Sequence, residues 1–336
     1  MDRRPRKLPR NLIAGVALLC AACGSRGGPL PPPTTAHSSV LSFPRASELI
    51  PQETIEPYTP YLDRRASHQT RLAADGHEEE RDWTKPPDGA EEVTYPSDDL
   101  ILRGWLVVPE GETGSRRPGV VFLHNDFELT RTSYENARAL ADRGYVVFLP
   151  ALRAENGNPG DFELLWGEVD DAENAVSWLA SHPAVDPDFV YVIGHSIGGG
   201  IASLLNLRPD LRARRTASIG GTYRARTLHV WALQAETTHL VRFNPADADE
   251  VTLRLLVPNL RDMTRPHIAY AGREASRDLA YARYAKRLAD DVGAPFELVE
   301  VTGAHMSSAV PAVEHFASVI ERDRRKQVTR LSRTEP

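Results

Sequence analysis

Cysteine is scarce in this 336-residue sequence, and both copies, Cys20 and Cys23, lie near the amino terminus. The remainder of the chain therefore has neither a disulfide framework nor a cysteine metal site. The sequence also lacks an H-E-x-x-H motif or a comparable histidine pair, which argues against a metal-dependent hydrolase. We predict no metal site and no cofactor.

The first 23 residues form a basic head followed by an apolar run. Five basic residues precede the apolar residues 12–22, which end at Cys23. This run is too short for a comfortable membrane span and ends in small residues, so it predicts a secretory signal over residues 1–22. Ala21-Ala22-Cys23-Gly24 resembles a bacterial lipobox with Cys20 in the usual leucine position, which implies lipidation of Cys23 and an exported protein anchored in a bacterial cell envelope. An ordinary secretory peptide cleaved nearby is the alternative.

The charge balance becomes more acidic once the signal is removed. Residues 1–22 carry five basic residues and one acidic residue, so their loss changes the net charge from −6 to about −10. This balance argues against a nucleic-acid partner. The predicted partners are a small-molecule or acyl substrate, and a membrane reached through the lipid anchor.

The composition divides the remaining chain into three parts. Residues 23–90 begin with the anchor cysteine and are rich in proline and polar residues, which predicts an extended tether. Residues 91–321 alternate between apolar strands and amphipathic helices, which predicts one folded domain. Residues 322–336 are basic, and we expect this tail to be frayed.

The order of the apolar segments predicts an α/β fold with a mostly parallel central sheet and helices on both faces. A hairpin around Pro96-Ser97-Asp98-Asp99 opens the sheet. The Gly/Asn/Pro-rich segment 153–161 is predicted to be a loop at the carboxyl edge of the sheet, where such folds bind ligands. The buried strands that follow the hairpin are predicted near residues 119–124, 144–150, 189–193, 217–221, 267–272 and 296–301.

The strongest catalytic motif is Gly194-His195-Ser196-Ile197-Gly198. It follows the predicted strand 189–193 and precedes an apolar segment typical of a helix, which is the setting of a nucleophile elbow. Such a turn strains the serine backbone and requires small neighbours. We therefore predict Ser196 as a nucleophile, while His195 is more consistent with a structural residue of the turn.

A serine nucleophile requires a base and an acid, which follow it in the order serine, acid, histidine in this type of fold. His305 follows the last predicted strand and is the predicted base. Glu274 is the preferred acid because it is nearest the end of strand 267–272. Asp278, which could instead cap the next helix, and a carboxylate after Gly221 are alternatives.

The oxyanion formed during acyl transfer requires hydrogen-bond donors. The backbone N–H of Ile197 is one predicted donor. The second is expected from the loop after His124, at the amide of Asn125 or Asp126. The acidic side chains of this loop are expected to face solvent or substrate.

With these motifs, residues 91–321 resemble the α/β-hydrolase superfamily, in the branch of dienelactone hydrolase-like and prolyl oligopeptidase-like serine hydrolases. The resemblance implies the α/β-hydrolase fold and hydrolytic chemistry at Ser196. The chain departs from that branch at Asn125, where glycine is usual, and at Ala275, where the acid is usually aspartate.

The sequence therefore predicts a secreted or membrane-anchored serine hydrolase that cleaves an ester, thioester or amide. An esterase is favoured over a peptidase because the sequence contains no segment typical of a peptide-gating domain. The departures at Asn125 and Ala275 leave a second hypothesis, a catalytically impaired binding protein that keeps the fold.

Overall fold

A computed structural model describes residues 55, 57–72, 84–110, 116–224 and 252–334. All of them belong to the compact unit Pro44–Pro336. The predicted signal, Cys23 and most of the predicted tether lie outside the described residues. Within the described ranges, no helix combines the length and apolar character that a membrane span requires.

Eight strands form a single sheet in the order β1-β2-β4-β3-β5-β6-β7-β8. The pairs β1/β2 and β2/β4 are antiparallel, and all the other pairs are parallel. This arrangement confirms the predicted opening hairpin and the mostly parallel sheet. The strands are β1 (Glu91–Ser97), β2 (Leu100–Val107), β3 (Arg117–Leu123), β4 (Val146–Pro150), β5 (Val185–His195), β6 (Arg215–Ile219), β7 (His267–Gly272) and β8 (Phe296–Val301).

Helices cover both faces of this sheet, as predicted. The described α-helices are α1 (Tyr61–Ser67), α2 (Arg131–Ala141), α3 (Gly167–Ala180), α4 (Ile197–Leu205), α5 (Ser276–Asp291) and α6 (Ala309–Thr334). Two short 3-10 helices, Thr252–Leu255 and Leu260–Asp262, precede β7. Helices α2 and α6 share one apolar core with the sheet, and α3, α4 and α5 share the other.

Successive residues of the central strands face these two cores alternately. In β5, Val190 and Val192 join the core under α3, α4 and α5, whereas Tyr191 and Ile193 join the core under α2 and α6. A strand with both faces buried requires a continuous apolar run, which is why its residues show no polar alternation. Since β3, β5, β6, β7 and β8 are parallel, the loops that follow them gather at one edge.

The predicted frayed tail is wrong for residues 322–334, because α6 continues to Thr334. Asp323 is 3% exposed and accepts hydrogen bonds from the Arg215 guanidinium at 2.6 and 2.9 Å. Burial alone raises the pKa of Asp323, but the hydrogen bonds and charge of Arg215 outweigh it and lower the pKa. A buried ion pair thus attaches the last helix to the sheet.

The predicted extended tether is wrong for residues 57–72, because this stretch contains α1 and packs on the domain. Tyr61 is buried, and its backbone N–H donates to Asn259 Oδ1 at 3.0 Å. Arg65 Nε donates to Asp170 of α3 at 2.8 Å. These partners are far away in the sequence, so local composition did not reveal them.

We predict that Asp323→Asn lowers the free energy of unfolding by about 2 kcal/mol at pH 7, because the Arg215 guanidinium loses its charged acceptor. The pKa of Asp323 is lowered in the folded state, so this contribution is present above about pH 4 and is lost as the pH falls. Urea unfolding at pH 7 and at pH 3 measures the difference. Glu314→Gln, at an exposed position of the same helix, is the matched control. An equal loss at both pH values would contradict the prediction.

Candidate active site

The turn between β5 and α4 holds Ser196 in a strained backbone conformation. Its φ of 54° and ψ of −111° lie in a region that non-glycine residues rarely adopt. A Cβ on Gly194 would lie 2.0 Å from the carbonyl oxygen of Gly198. Glycine is therefore required at position 194, and the close crossing fixes Ser196 at the carboxyl edge of the sheet.

His305 reaches this serine from the loop after β8. Its Nε2 lies 3.0 Å from Ser196 Oγ. The imidazole is partly exposed, with 32% of its side chain accessible to solvent. Ser196 and His305 are 109 positions apart in the chain, yet their side chains lie within hydrogen-bond distance. The serine hydroxyl is therefore next to a group that can accept its proton.

Asp278, and not Glu274, contacts the imidazole. Asp278 Oδ2 lies 2.6 Å from His305 Nδ1, and its side chain is 7% exposed. Glu274 is exposed to solvent. Because helical side chains lean toward the amino terminus of their helix, an aspartate in the first turn of α5 can reach back over the sheet edge. The preference for Glu274 was therefore wrong, and Asp278 does not serve as the helix cap.

The predicted oxyanion donors lie on two segments that pack against each other. The N–H of Ile197 belongs to the first turn of α4, where amides have no acceptor within the helix. A Cβ on Gly198 would lie 2.4 Å from the carbonyl oxygen of His124, so the loop that contains Asn125 and Asp126 starts directly beside this turn. The Asp126 side chain is exposed.

A buried His–Glu pair, which no sequence motif predicted, fixes the start of that loop. His124 Nε2 donates to Glu155 Oε2 at 2.8 Å, and His124 Nδ1 donates to the carbonyl oxygen of Asp126 at 2.8 Å. Both partners are acceptors, so the imidazole satisfies them together only when both of its nitrogens carry protons. Burial alone lowers the pKa of His124, but Glu155 outweighs it and raises the pKa. The one sequence signal for this pair was the charged residue Glu155 within the predicted loop 153–161.

His195 contacts the backbone of His305, the predicted base, and not Ser196, the predicted nucleophile. Its Nε2 donates to the carbonyl oxygen of His305 at 2.9 Å, and the ring is fully buried. Burial lowers the pKa of His195 to about 4. The imidazole is therefore neutral at pH 7, and it attaches the loop of His305 to the end of β5.

A small pocket of about 10 Å³, roughly the room that one water molecule needs, lies beside Ile197. Apolar side chains form most of its wall, and three carboxyl groups and His124 complete it. The pocket is lined by Leu123, His124, Asp126, Phe127, Leu152, Glu155, Phe162, Leu165, Glu168, Ile197 and Ile201. Because Ile197 follows the candidate nucleophile, this pocket borders the turn that holds Ser196.

The sheet order, the strained serine and its hydrogen-bonded histidine together define an α/β-hydrolase. Residues 102–261 match the dienelactone hydrolase family. The putative hydrolase fragment YghX of Escherichia coli is 35% identical over 83 residues, which cover 24% of this chain and 70% of that protein. The chain belongs to the dienelactone hydrolase family.

Two other curated relatives are matched over only part of their length. The polyketide transferase ATR5 of Stachybotrys chlorohalonatus is 32% identical over 34% of this chain and 39% of that protein. The uncharacterized peptidase YtmA of Bacillus subtilis is 32% identical over 38% of this chain and 50% of that protein. The chain therefore spans half or less of these two relatives.

Solved structures with low sequence identity to this chain share its fold. An acylaminoacyl peptidase of Pyrococcus horikoshii is 19% identical with a TM-score of 0.55, and the match covers 69% of this chain and 41% of that one. An esterase of Pyrobaculum calidifontis is 20% identical with a TM-score of 0.54, covering 71% of this chain and 87% of that one. At these identities the likeness concerns the fold alone.

We predict that Glu155→Gln lowers the free energy of unfolding by about 3 kcal/mol at pH 6, because the buried imidazole loses its carboxylate partner. The raised pKa of His124 means that this contribution is fully present below about pH 6.5 and is lost as the pH rises through the folded-state pKa. Denaturant unfolding at pH 6 and pH 9 measures the change.

The control is Glu135→Gln, which makes the same substitution in an exposed ion pair with Arg131. It is expected to change stability by less than about 1 kcal/mol at both pH values. A loss for Glu155→Gln that is as large at pH 9 as at pH 6 would show that the pair is not ionised as described.

Proposed function

We propose that this protein is a serine hydrolase that cleaves an ester, thioester or amide through an acyl-enzyme on Ser196. One observation carries the proposal. Ser196 Oγ, the His305 imidazole and the Asp278 carboxylate form one chain of hydrogen bonds of 3.0 and 2.6 Å. This is the arrangement of nucleophile, base and orienting acid that acyl transfer requires.

In the proposed first step, Ser196 Oγ attacks the substrate carbonyl carbon while its proton moves to His305 Nε2. Asp278 accepts the hydrogen bond from His305 Nδ1 and stabilises the imidazolium. The oxyanion is stabilised by the Ile197 N–H and by an amide of the loop at Asn125 or Asp126. His305 then gives the proton to the leaving group, which departs as an alcohol, thiol or amine.

The second step removes the acyl group. Water attacks the acyl carbon and gives a proton to His305 Nε2, and the tetrahedral intermediate collapses as this proton returns to Ser196 Oγ. The products are a carboxylic acid and the regenerated serine. The small and mostly apolar pocket beside Ile197 favours a compact acyl group. We also propose esters as the preferred substrates over peptides, because no segment of the sequence is typical of a peptide-gating domain.

The contact between Asp278 and His305 also weakens the binding-protein hypothesis. That hypothesis depended partly on Ala275, which stands where the family usually has its acid. A carboxylate three residues later, that of Asp278, contacts the proposed base, so the substitution does not imply a lost acid. The departure at Asn125 remains, and it changes the side chain but not the backbone amide that would donate.

We predict that Asp278→Asn lowers kcat for p-nitrophenyl butyrate by roughly 10³- to 10⁴-fold, because an amide in this place favours the wrong imidazole tautomer. Glu274→Gln is the matched control on the same segment and should remain within about twofold of the unmodified protein. Steady-state kinetics at pH 8 decide between the two carboxylates. Equal losses for both variants, or a loss for Glu274→Gln alone, would contradict the proposed role of Asp278.

We further propose that the chain is exported and anchored by a lipid on Cys23, on the basis of the signal pattern over residues 1–22. In a bacterial host, Cys23→Ser should abolish incorporation of labelled fatty acid and release the protein from the membrane fraction. Cys20→Ser, three residues earlier, is the control and should retain both properties. Incorporation of labelled fatty acid into the Cys23→Ser variant would contradict lipidation at Cys23.

A further inference from the structure

Residues 57–72, here called the N-terminal strap, contact the outside of one wall of the pocket. The wall is the segment Phe162–Glu168, of which Phe162, Leu165 and Glu168 line the pocket. The His68 ring stacks on Trp166 with a centroid distance of 3.9 Å and an interplanar angle of 9°. A residue outside the predicted domain therefore lies directly behind the pocket.

The wall has a backbone that needs external support. Leu164 and Leu165 have φ values of 49° and 74°, a left-handed conformation that is costly for leucine. From the inside, the Glu168 carboxyl group accepts hydrogen bonds from the backbone N–H groups of Glu163 at 2.7 Å and Leu165 at 2.8 Å. A strained segment of this kind persists only where its surroundings fix it.

The strap provides a second set of contacts from the outside. Thr70 Oγ1 donates to Glu163 Oε2, while Arg153 Nη1 donates to the other oxygen of Glu163 at 2.6 Å. Trp166, under the His68 ring, is fully buried. The strap thus touches two wall residues, one through a flat ring and the other through a hydroxyl group.

The strap is itself firmly attached to the domain. Asp170 of α3 accepts hydrogen bonds from Arg65 of the strap and from Arg208 at 2.6 Å. The Arg208 guanidinium also lies 5.1 Å from the centre of the buried Tyr61 ring. Burial lowers the pKa of His68 to about 4, so the ring that stacks on Trp166 is neutral at pH 7.

We propose that the N-terminal strap determines acyl-chain specificity by holding the wall Phe162–Glu168 in place, with His68 as the principal positioning residue. This inference rests on the proposed serine hydrolase function. Because the pocket is narrow, a longer acyl chain that enters it contacts the wall, whereas an acetyl group makes few contacts with it. The strap therefore affects the binding of longer acyl chains more than it affects the chemical step.

The test compares His68→Ala with His68→Phe, which keeps a flat ring, and with Gln69→Ala, which changes an exposed neighbour. His68→Ala should raise KM for p-nitrophenyl butyrate by roughly three- to tenfold, with kcat and the acetate kinetics within about twofold. His68→Phe and Gln69→Ala should resemble the unmodified protein. The proposal would be overturned if His68→Ala changed KM equally for both esters, or if its kinetics were the same as those of Gln69→Ala.

A second measurement does not depend on activity. Hydrogen exchange followed by mass spectrometry should show faster exchange of residues 162–168 in His68→Ala than in Gln69→Ala, since the Leu165 amide loses protection when the wall loosens. Thr70→Val provides the same test should His68→Ala fail to fold. Unchanged exchange in a folded variant would overturn the proposal. An unmodified protein that hydrolyses neither ester and takes no fluorophosphonate label on Ser196 would instead refute the function, and exchange alone would then decide whether the strap holds the wall.

Discussion

The structure depends on the close crossing of the backbone at Gly194 and Gly198. A Cβ on residue 194 would lie 2.0 Å from the Gly198 carbonyl oxygen, so only glycine fits there. Ser196, between the two glycines, has a positive φ. The crossing brings the serine hydroxyl to the sheet edge and aims the first amides of α4 at the same place. One turn therefore supplies both the proposed nucleophile and the proposed site for negative charge.

The other site residues lie on loops and in the first turn of α5. The fold brings these segments to the turn at Ser196 and holds them there with buried polar contacts. The His195 ring donates to the backbone of His305, and the His124–Glu155 pair fixes the start of the proposed oxyanion loop. The N-terminal strap supports the pocket wall in the same way. Burying these polar groups costs free energy of desolvation. In return, the contacts fix one arrangement of segments that are distant in sequence.

The sequence predicted the elements whose residues carry a local signal. Buried strands are continuous apolar runs, and β8 has the bounds that were expected, Phe296–Val301. The motif around Ser196 and the chain order predicted the serine and histidine that the structure brings together. The acid was missed because nearness to a strand end in sequence favoured Glu274, whereas the direction of helical side chains favours Asp278. The N-terminal strap was missed because its composition is polar and it pairs with residues between 93 and 198 positions away in the sequence.

The central claim is that Ser196 is a nucleophile activated by His305. The most direct measurement is intact-protein mass spectrometry after exposure to a fluorophosphonate, followed by peptide mapping, for the unmodified protein, Ser196→Ala and His305→Ala. The account predicts one adduct on Ser196, none in Ser196→Ala and strongly slowed labelling in His305→Ala. A folded protein that remains unlabelled, or an adduct that forms at the same rate without His305, would contradict it.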